Sequence, residues 1–127
     1  MTKETPTKKE AQKHTLTIDA GGRTLGRVAS EAAKALMGKT HAAYTPHILS
    51  DVKVQIMNAS KMYIREKKRV TKKYQTYSGY PGGLREESLA NLNARKGYGE
   101  SLRRAISRML PRNTMKTERM KNLTVTE

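Results

Sequence analysis

The sequence lacks cysteine, phenylalanine and tryptophan altogether. Without cysteine it has no disulfide bonds, thiolate metal sites or thiol nucleophiles, and the composition fits a reducing compartment such as the cytosol. Without phenylalanine and tryptophan, the core must be built from aliphatic side chains, with six tyrosines as the only large rings. Because aromatic platforms for stacking bases are scarce, the composition favours recognition of shape and phosphate over reading of bases.

Long apolar segments are missing as well. No apolar run approaches the roughly 20 residues that span a bilayer, and the opening MTKETPTKKEAQK lacks the apolar centre of a secretion signal. We therefore expect no membrane partner. Residues 1–13 are polar, charged and without periodicity, which predicts a disordered basic tail followed by a single folded domain at residues 14–127.

Acidic residues are too few to balance the basic ones. The chain has 127 residues, of which 26 are Lys or Arg and 11 are Asp or Glu, and its formal net charge is +15. Hydrophobic residues make up 35% of the chain, which is enough to build a folded core. A folded protein with this charge excess needs a polyanionic partner, and nucleic acid is the leading candidate.

The hydrophobic pattern of the first half predicts a βαβ unit. Alternation in residues 16–18 indicates a short strand, and apolar residues recur at helical spacing over 25–36, before a natural helix stop at Gly38. Residues 52–56 alternate again, as a second strand that lies parallel to the first. We therefore expect an α/β fold with a mostly parallel sheet flanked by helices, in Rossmann-like layering, with basic loops.

A basic stretch follows the second strand. Residues 61–73 carry seven basic side chains and one acid, and we predict a loop there that leads into a strand at about residues 70–77. The run SGYPGG, residues 78–83, predicts a turn. Two roles stay open for each nearby tyrosine, namely stacking on bases or packing in the core. These tyrosines are Tyr74, Tyr77 and Tyr80.

Two helices and a short strand are expected in the last third. Leu89 and Leu92 indicate a helix, with Glu86 and Glu87 in its first turn, where the helix dipole favours acids. A stronger apolar pattern at residues 102–110 indicates a second helix, which Pro111 prevents from continuing. Residues 123–125 are expected to form a final strand.

The second of these helices is predicted to have two distinct faces. Leu102, Ile106 and Met109 share an apolar stripe, whereas Arg104 and Arg108 lie one turn apart on another face. The stripe is expected to pack in the core, and the arginines are expected to form an exposed basic ridge.

No enzymatic motif is complete. GGRTLG, residues 21–26, follows a strand and opens a helix, but Arg23 stands where a dinucleotide-binding loop needs glycine, and Asn58 stands after the second strand in place of a ribose-binding carboxylate. The three histidines are too dispersed for a metal site, and no serine or threonine lies in a nucleophile motif. We expect no catalysis, no cofactor, no metal and no small-molecule substrate.

Several motifs together resemble one known family. The run DAGGRTLGRVASEAAKALMGKTHAAYTPH, residues 19–47, resembles the opening of the bacterial family of large ribosomal subunit protein thirteen. Asn58 and Ala59 after the second strand, the SGYPGGL turn and the run AISRMLPRN, residues 105–113, also fit this family's pattern. Ser50, Arg108 and the run MKTER depart from it.

The resemblance implies a structural constituent of the large ribosomal subunit. It implies binding to 23S-type ribosomal RNA, contacts with neighbouring large-subunit proteins, an early role in assembly and a cytoplasmic location in the ribosome, with an organellar ribosome as the alternative source. A secondary contact with mRNA is a further expectation. Two other interpretations stay open, namely a free nucleic-acid-binding regulator and a nucleotide-dependent enzyme on a Rossmann-like sheet.

Charge and resemblance together define the expected RNA-binding residues. They come from the first helix and its flanks, from the basic stretch, and from the last third of the chain. They are Arg23, Arg27, Lys39, Tyr44, Lys67, Lys68, Arg69, Lys72, Lys73, Arg103, Arg104, Arg108, Arg112, Asn113, Lys116 and Arg119.

Overall fold

A computed structural model describes residues 14–127 of the chain. The expected tail at residues 1–13 lies outside the described residues, so the division into a tail and a single domain stays a prediction. None of the helices in the described part is both long and apolar enough to cross a bilayer.

The first half forms the predicted βαβ unit. Strand β1 (Thr15–Asp19) is followed by helix α1 (Leu25–Leu36) and strand β2 (Lys53–Met57). β1 and β2 pair in parallel, with Ile18 opposite Ile56. The alternation and helical spacing in the sequence therefore predicted these three elements to within a residue or two.

A glycine ends α1 as expected. Gly38 has a φ of +81°, in the left-handed region that side chains other than that of glycine adopt rarely. A Cβ atom at this position would lie 2.7 Å from the Cβ of Ser50, so the following loop approaches the backbone closely. The Ser50 hydroxyl donates a 2.9 Å hydrogen bond to the carbonyl of Leu36, which anchors the far end of that loop to α1.

The second half adds a hairpin, four helices and a third parallel strand. These elements are α2 (Glu66–Thr71), β3 (Lys73–Tyr77), β4 (Leu84–Ser88), α3 (Leu89–Lys96), α4 (Tyr98–Met109), α5 (Met115–Lys121) and β5 (Leu123–Val125). β3 and β4 pair antiparallel across the predicted turn at residues 78–83, and β5 pairs in parallel with β2. The parallel sheet therefore has the order β1-β2-β5, which confirms the expected α/β class.

Helix α2 replaces the loop that was predicted for the basic stretch. Glu66 lies in its first turn, and Lys68 and Arg69 lie in its last turn, so the charges suit the helix dipole at both ends. None of its residues is buried. The helix therefore lacks the apolar periodicity by which a helix is recognised in sequence, and the loop prediction was wrong.

The two adjacent acids lie in a strand and not at a helix start. Glu86 and Glu87 belong to β4, opposite Gln75 and Tyr74 of β3. Ser88 is the residue that caps α3, where its hydroxyl oxygen accepts a hydrogen bond from the backbone N–H of Asn91 at 3.3 Å. Helix α3 itself was predicted correctly, but its first turn begins two residues after these acids.

The main core lies between the parallel sheet and two helices. α1 and α4 pack against each other and against the sheet face that carries Ile18, Val54 and Ile56. The buried face of α1 has four alanines, so α4 approaches it closely despite the absence of large rings. A smaller cluster of Ile64, Tyr74, Leu89 and Leu92 joins the hairpin to α3, and Tyr98 packs against both clusters.

The opposite sheet face is polar and open within residues 14–127. Thr17, Lys53 and Thr124 are exposed on this face, one on each strand. The helices that pack on the sheet in the described part therefore cover one face, whereas Rossmann-like layering has helices on both. β1 and β5 form the two edges of the sheet.

Ile106→Ala is expected to destabilise the chain by about 2–5 kcal/mol, because Ile106, on the inner face of α4, is fully buried in the main core. Chemical denaturation measures this change. Met109→Ala on the same helix is the control. Although Met109 was predicted to share the apolar stripe, it is 43% exposed beyond the packed face, and we expect its loss to change stability by only about 0.5 kcal/mol. Equal losses for both variants would contradict the packing.

Asp19 joins the first turn to the end of β2. Its Oδ1 atom accepts hydrogen bonds from the Gly21 N–H at 3.0 Å and from the Asn58 side-chain amide at 2.9 Å. Asn58 holds a φ of 58°, a left-handed conformation that asparagine tolerates better than most residues. The hydrogen bond from Asn58 is the main cause that lowers the pKa of Asp19, and that from Gly21 adds to it.

This lowered pKa predicts how the stability of Asp19→Asn compares with that of the parent chain as pH changes. Because the folded-state pKa lies below the unfolded value, ionised Asp19 contributes stability above about pH 4, and this contribution is lost as pH falls through the folded-state pKa. We expect the parent to be more stable than the variant at pH 5–7. The difference should shrink below about pH 4 in denaturation curves, and a constant difference would show that ionisation plays no part.

Candidate nucleic-acid interface

Helix α2 presents an exposed row of unpaired cations. Lys67, Lys68 and Arg69 are all exposed, and none of them takes part in an ion pair within the described residues. Arg65, the residue before the helix, lines two surface depressions together with Lys68. We call the surface of Arg65, Lys67, Lys68 and Arg69 the α2 surface, and its charge is available to an anionic partner.

Other cations are engaged with acids on the protein itself. Five ion pairs occur in the described part of the chain, and their cations are Arg23, Lys73, Arg95, Arg104 and Lys121. Three of the expected RNA-binding residues are among them: Arg23 pairs with Glu31, Lys73 with Glu86 at 3.3 Å, and Arg104 with Glu100 at 3.2 Å. The pairs of Arg23 and Lys73 are exposed, so they are weak and can exchange for another anion.

Tyr74 brings together basic residues from two distant segments. Lys72 Nζ lies 5.6 Å from the centre of its ring, Arg104 Cζ 5.0 Å and Arg108 Cζ 5.5 Å. These distances suit cation–π contacts. Burial raises the pKa of Tyr74, and the positive charges of Arg108 and Arg104 partly oppose this effect. The neutral ring therefore gathers three cations on the side of the hairpin that faces α4.

The ridge predicted on α4 is only partly exposed. Arg103 and Arg108 are exposed as expected, but Arg104 is largely covered. Its Nε donates a 3.2 Å hydrogen bond to Glu100, one turn earlier, and its guanidinium lies over Tyr74. Arg104 therefore links α4 to the hairpin, a role that the helical spacing alone does not show.

A second group of charges on the hairpin is internally balanced. Glu87 accepts two hydrogen bonds from Arg95, at 2.9 and 2.6 Å, which lower the pKa of Glu87 and raise that of Arg95. Hydrogen bonds from Gln75 and Lys73 lower the pKa of Glu86. The depression that these acids line beside Tyr74 has mixed charge. It is therefore less suited to a polyanion than the α2 surface.

The expected residues near α1 lie on its exposed face. Arg27 is exposed on α1, one turn after Arg23. Lys68 of the α2 surface shares a small depression with Thr24 and Leu25 at the start of α1. The first turn of α1 and the α2 surface are therefore neighbours, although 40 residues or more separate them in sequence.

Four expected residues from two segments meet at one depression. Lys39 and Tyr44 follow α1, Asn113 and Arg119 follow α4, and all four line the same hollow. Arg112 is exposed and Lys116 is partly buried in the same chain segment. Lys39, Tyr44 and Asn113 are exposed, as an RNA contact requires.

Arg119 departs from the expectation of an exposed contact. Arg119 lies on α5 and is only 2% exposed. Its Nε has no hydrogen-bond partner in the described part of the chain. Arg119 lines a depression with Lys39 and Tyr44, which are distant in sequence, while its neighbour Met120 packs against the main core. The run of basic residues in this segment did not reveal which of them would be buried.

The three tyrosines of the hairpin separate into two classes. Tyr74 is buried, whereas Tyr77 and Tyr80 are largely exposed at and beside the turn. Tyr74 therefore packs in the core, and the stacking role stays a prediction for the other two. Sequence reasoning left out Arg65, which lies in the recognised basic stretch and belongs to the α2 surface.

No cluster of three or more metal-ligating side chains occurs among residues 14–127.

A sequence profile of the family described as Ribosomal protein L13 matches residues 13–127 of the chain. The protein named Large ribosomal subunit protein uL13 from Sinorhizobium medicae is 38% identical over 116 residues, covering 91% of this chain and 75% of that protein. Proteins of the same name are 38% identical over 116 residues in Rubrobacter xylanophilus, with 91% and 80% covered, and 41% identical over 108 residues in Leptothrix cholodnii, with 85% and 75% covered.

Proposed function

The chain belongs to the ribosomal protein L13 family of structural, non-enzymatic ribosomal proteins, and we propose that it binds 23S-type ribosomal RNA as an early component of the large subunit. It does so through phosphate contacts. The partners are the ribosomal RNA and the neighbouring large-subunit proteins. The expected absence of catalysis agrees with this family.

The α2 surface is the observation that carries the RNA-binding proposal. Its cations are exposed and have no acid partner in the described residues, so they repel one another unless an anion neutralises them. The first turn of α1 adds Arg27, and the cluster at Tyr74 adds Arg108, both exposed. Cations displayed on helices suit phosphate contacts, and the exposed ring of Tyr63, which lines a depression with Arg65 and Lys68, adds a surface on which a base can stack.

A free nucleic-acid-binding regulator is the remaining alternative, and it would use the same cations. The expected mRNA contact would also use them, since phosphates are common to every RNA. Family membership favours the ribosomal role, and the place of the protein in the cell distinguishes the two. An enzyme on a Rossmann-like sheet is not supported, because the family is one of structural proteins.

A tagged full-length chain is expected to sediment with the large ribosomal subunit in a density gradient of its source cells. An early role in assembly also predicts that the chain is present in immature large-subunit particles. Quantitative mass spectrometry of the fractions measures both. If the chain is found only in ribosome-free fractions, the regulator interpretation is correct and the ribosomal one is wrong.

Neutralising the α2 surface is expected to weaken RNA binding and leave the fold intact. Six to ten phosphate contacts would make the affinity of the parent for the ribosomal RNA fall by about 10³ to 10⁵ between 50 and 200 mM salt. Changing Lys67, Lys68 and Arg69 to Gln should lower affinity and make the log–log salt slope shallower by up to about 2.7, since each lost phosphate contact removes about 0.9. Thermal melting should barely change, because all three side chains are exposed.

A matched control carries the same loss of charge elsewhere. Lys34, Lys53 and Lys96 are exposed, lie outside the α2 surface and take part in no ion pair among residues 14–127, and the triple Gln variant at these positions has the same net charge. We expect it to keep most of the salt slope. Equal slopes for the two triple variants would mean that overall charge, rather than the α2 surface, determines binding.

A further inference from the structure

Arg119 is a buried side chain with no counter-charge among residues 14–127. It is 98% buried, and within this range its Nε has no hydrogen-bond partner and no ion pair involves it. A buried charge is costly unless it is paired, and removal of a partner from a buried pair is strongly destabilising. An unpaired guanidinium in this position therefore indicates a partner that residues 14–127 do not supply.

The surroundings of Arg119 show which kind of partner fits. It lines a depression with Lys39, Tyr44 and Asn113, and no acidic side chain is among the lining residues. Lys39 adds a second positive charge, and the Asn113 amide and the Tyr44 hydroxyl add neutral hydrogen-bond donors. Three of these side chains are exposed, so the hollow is accessible from solvent.

We propose that this depression is a phosphate-binding site, in which one phosphate of the ribosomal RNA backbone neutralises Arg119. The inference rests on the proposed function, because it takes RNA as the source of the phosphate. An Arg can bind a phosphate through two parallel N–H donors, and a Lys beside it adds a point charge. Arg119 thus binds phosphate from within the protein, unlike the exposed cations of α2.

RNA suits this site better than an acidic segment of a neighbouring protein. The lining contains two cations, two neutral side-chain donors and no acid, and a backbone phosphate presents two non-bridging oxygens to such a set, as a carboxylate presents its two oxygens. The chain as a whole also carries a net charge of +15, which draws it towards the most highly charged polyanion nearby. An acidic protein partner is therefore the alternative that the experiment must detect.

The test compares Arg119→Met with the parent in full-length chains. Binding to a 23S-type ribosomal RNA transcript should weaken by about ten- to a hundredfold, as expected for the loss of a charged hydrogen bond, and the salt slope should become shallower by about 0.9. The melting temperature of the free variant should rise, because methionine fills the same space without a buried unpaired charge. Lys39→Met, at an exposed position, should weaken RNA binding without a change in melting temperature.

Lys53→Met is the control, because it removes one exposed charge from the open face of the sheet. It should bind the transcript nearly as well as the parent does. If Arg119→Met and Lys39→Met bind as tightly as this control does, the phosphate site is wrong while the proposed function stands. If the parent itself does not bind the transcript, the proposed function fails first and the phosphate site fails with it.

Two further measurements identify other occupants. Inorganic phosphate is titrated against the parent and Arg119→Met, and melting temperature is recorded. If phosphate stabilises only the parent and the variant still binds the transcript normally, the site takes a small free anion and the RNA assignment is overturned. If the variant binds the transcript normally but is lost from large-subunit particles in cells, the partner is an acidic protein and the RNA assignment is again overturned.

Discussion

The close packing of α1 on α4 is the contact on which the other elements depend. With no phenylalanine or tryptophan in the chain, burial comes from short aliphatic side chains, and the alanines of α1 let α4 approach closely over the sheet. The same contact places the segments that follow both helices side by side. Lys39 and Asn113, far apart in sequence, therefore line one depression, and the geometry of this surface depends on the core beneath it.

Charge is distributed unevenly over the molecule because the few acids are used locally. Glu31, Glu86, Glu87, Glu100 and Glu118 each pair with a cation on the same or an adjacent element. These pairs balance the hairpin and parts of α1, α4 and α5, and they leave α2 unbalanced. The excess positive charge is therefore concentrated on α2. A concentrated charge can orient an RNA on the protein surface, whereas a uniform charge only attracts it.

Sequence patterns predicted the elements with a clear apolar face and missed two helices that lack one. The βαβ unit, α3, α4 and the last strand each have such a face, whereas α2 buries nothing and was taken for a loop, and α5, whose one fully buried residue is Arg119, was not predicted. For the candidate interface, charge identified the basic segments, but the burial of Arg119 and the cover over Arg104 depend on contacts with residues distant in sequence. Met109 shows a similar limit, since helical spacing places it on the stripe, yet it is 43% exposed and lines the depression that contains Lys39 and Asn113.

The order of the parallel sheet has a consequence for the chain before it meets any partner. β1 is an edge strand five residues long, and its outer backbone N–H and C=O groups have no strand beside them among residues 14–127. Such an edge is a template for pairing with another copy. Asp19 is the one charged side chain on β1, so the strand itself offers little protection, and mutual repulsion between highly positive chains is the main barrier to their association. The positive charge that suits the chain to a polyanion thus also keeps free copies apart, and salt, which screens charge, weakens both effects.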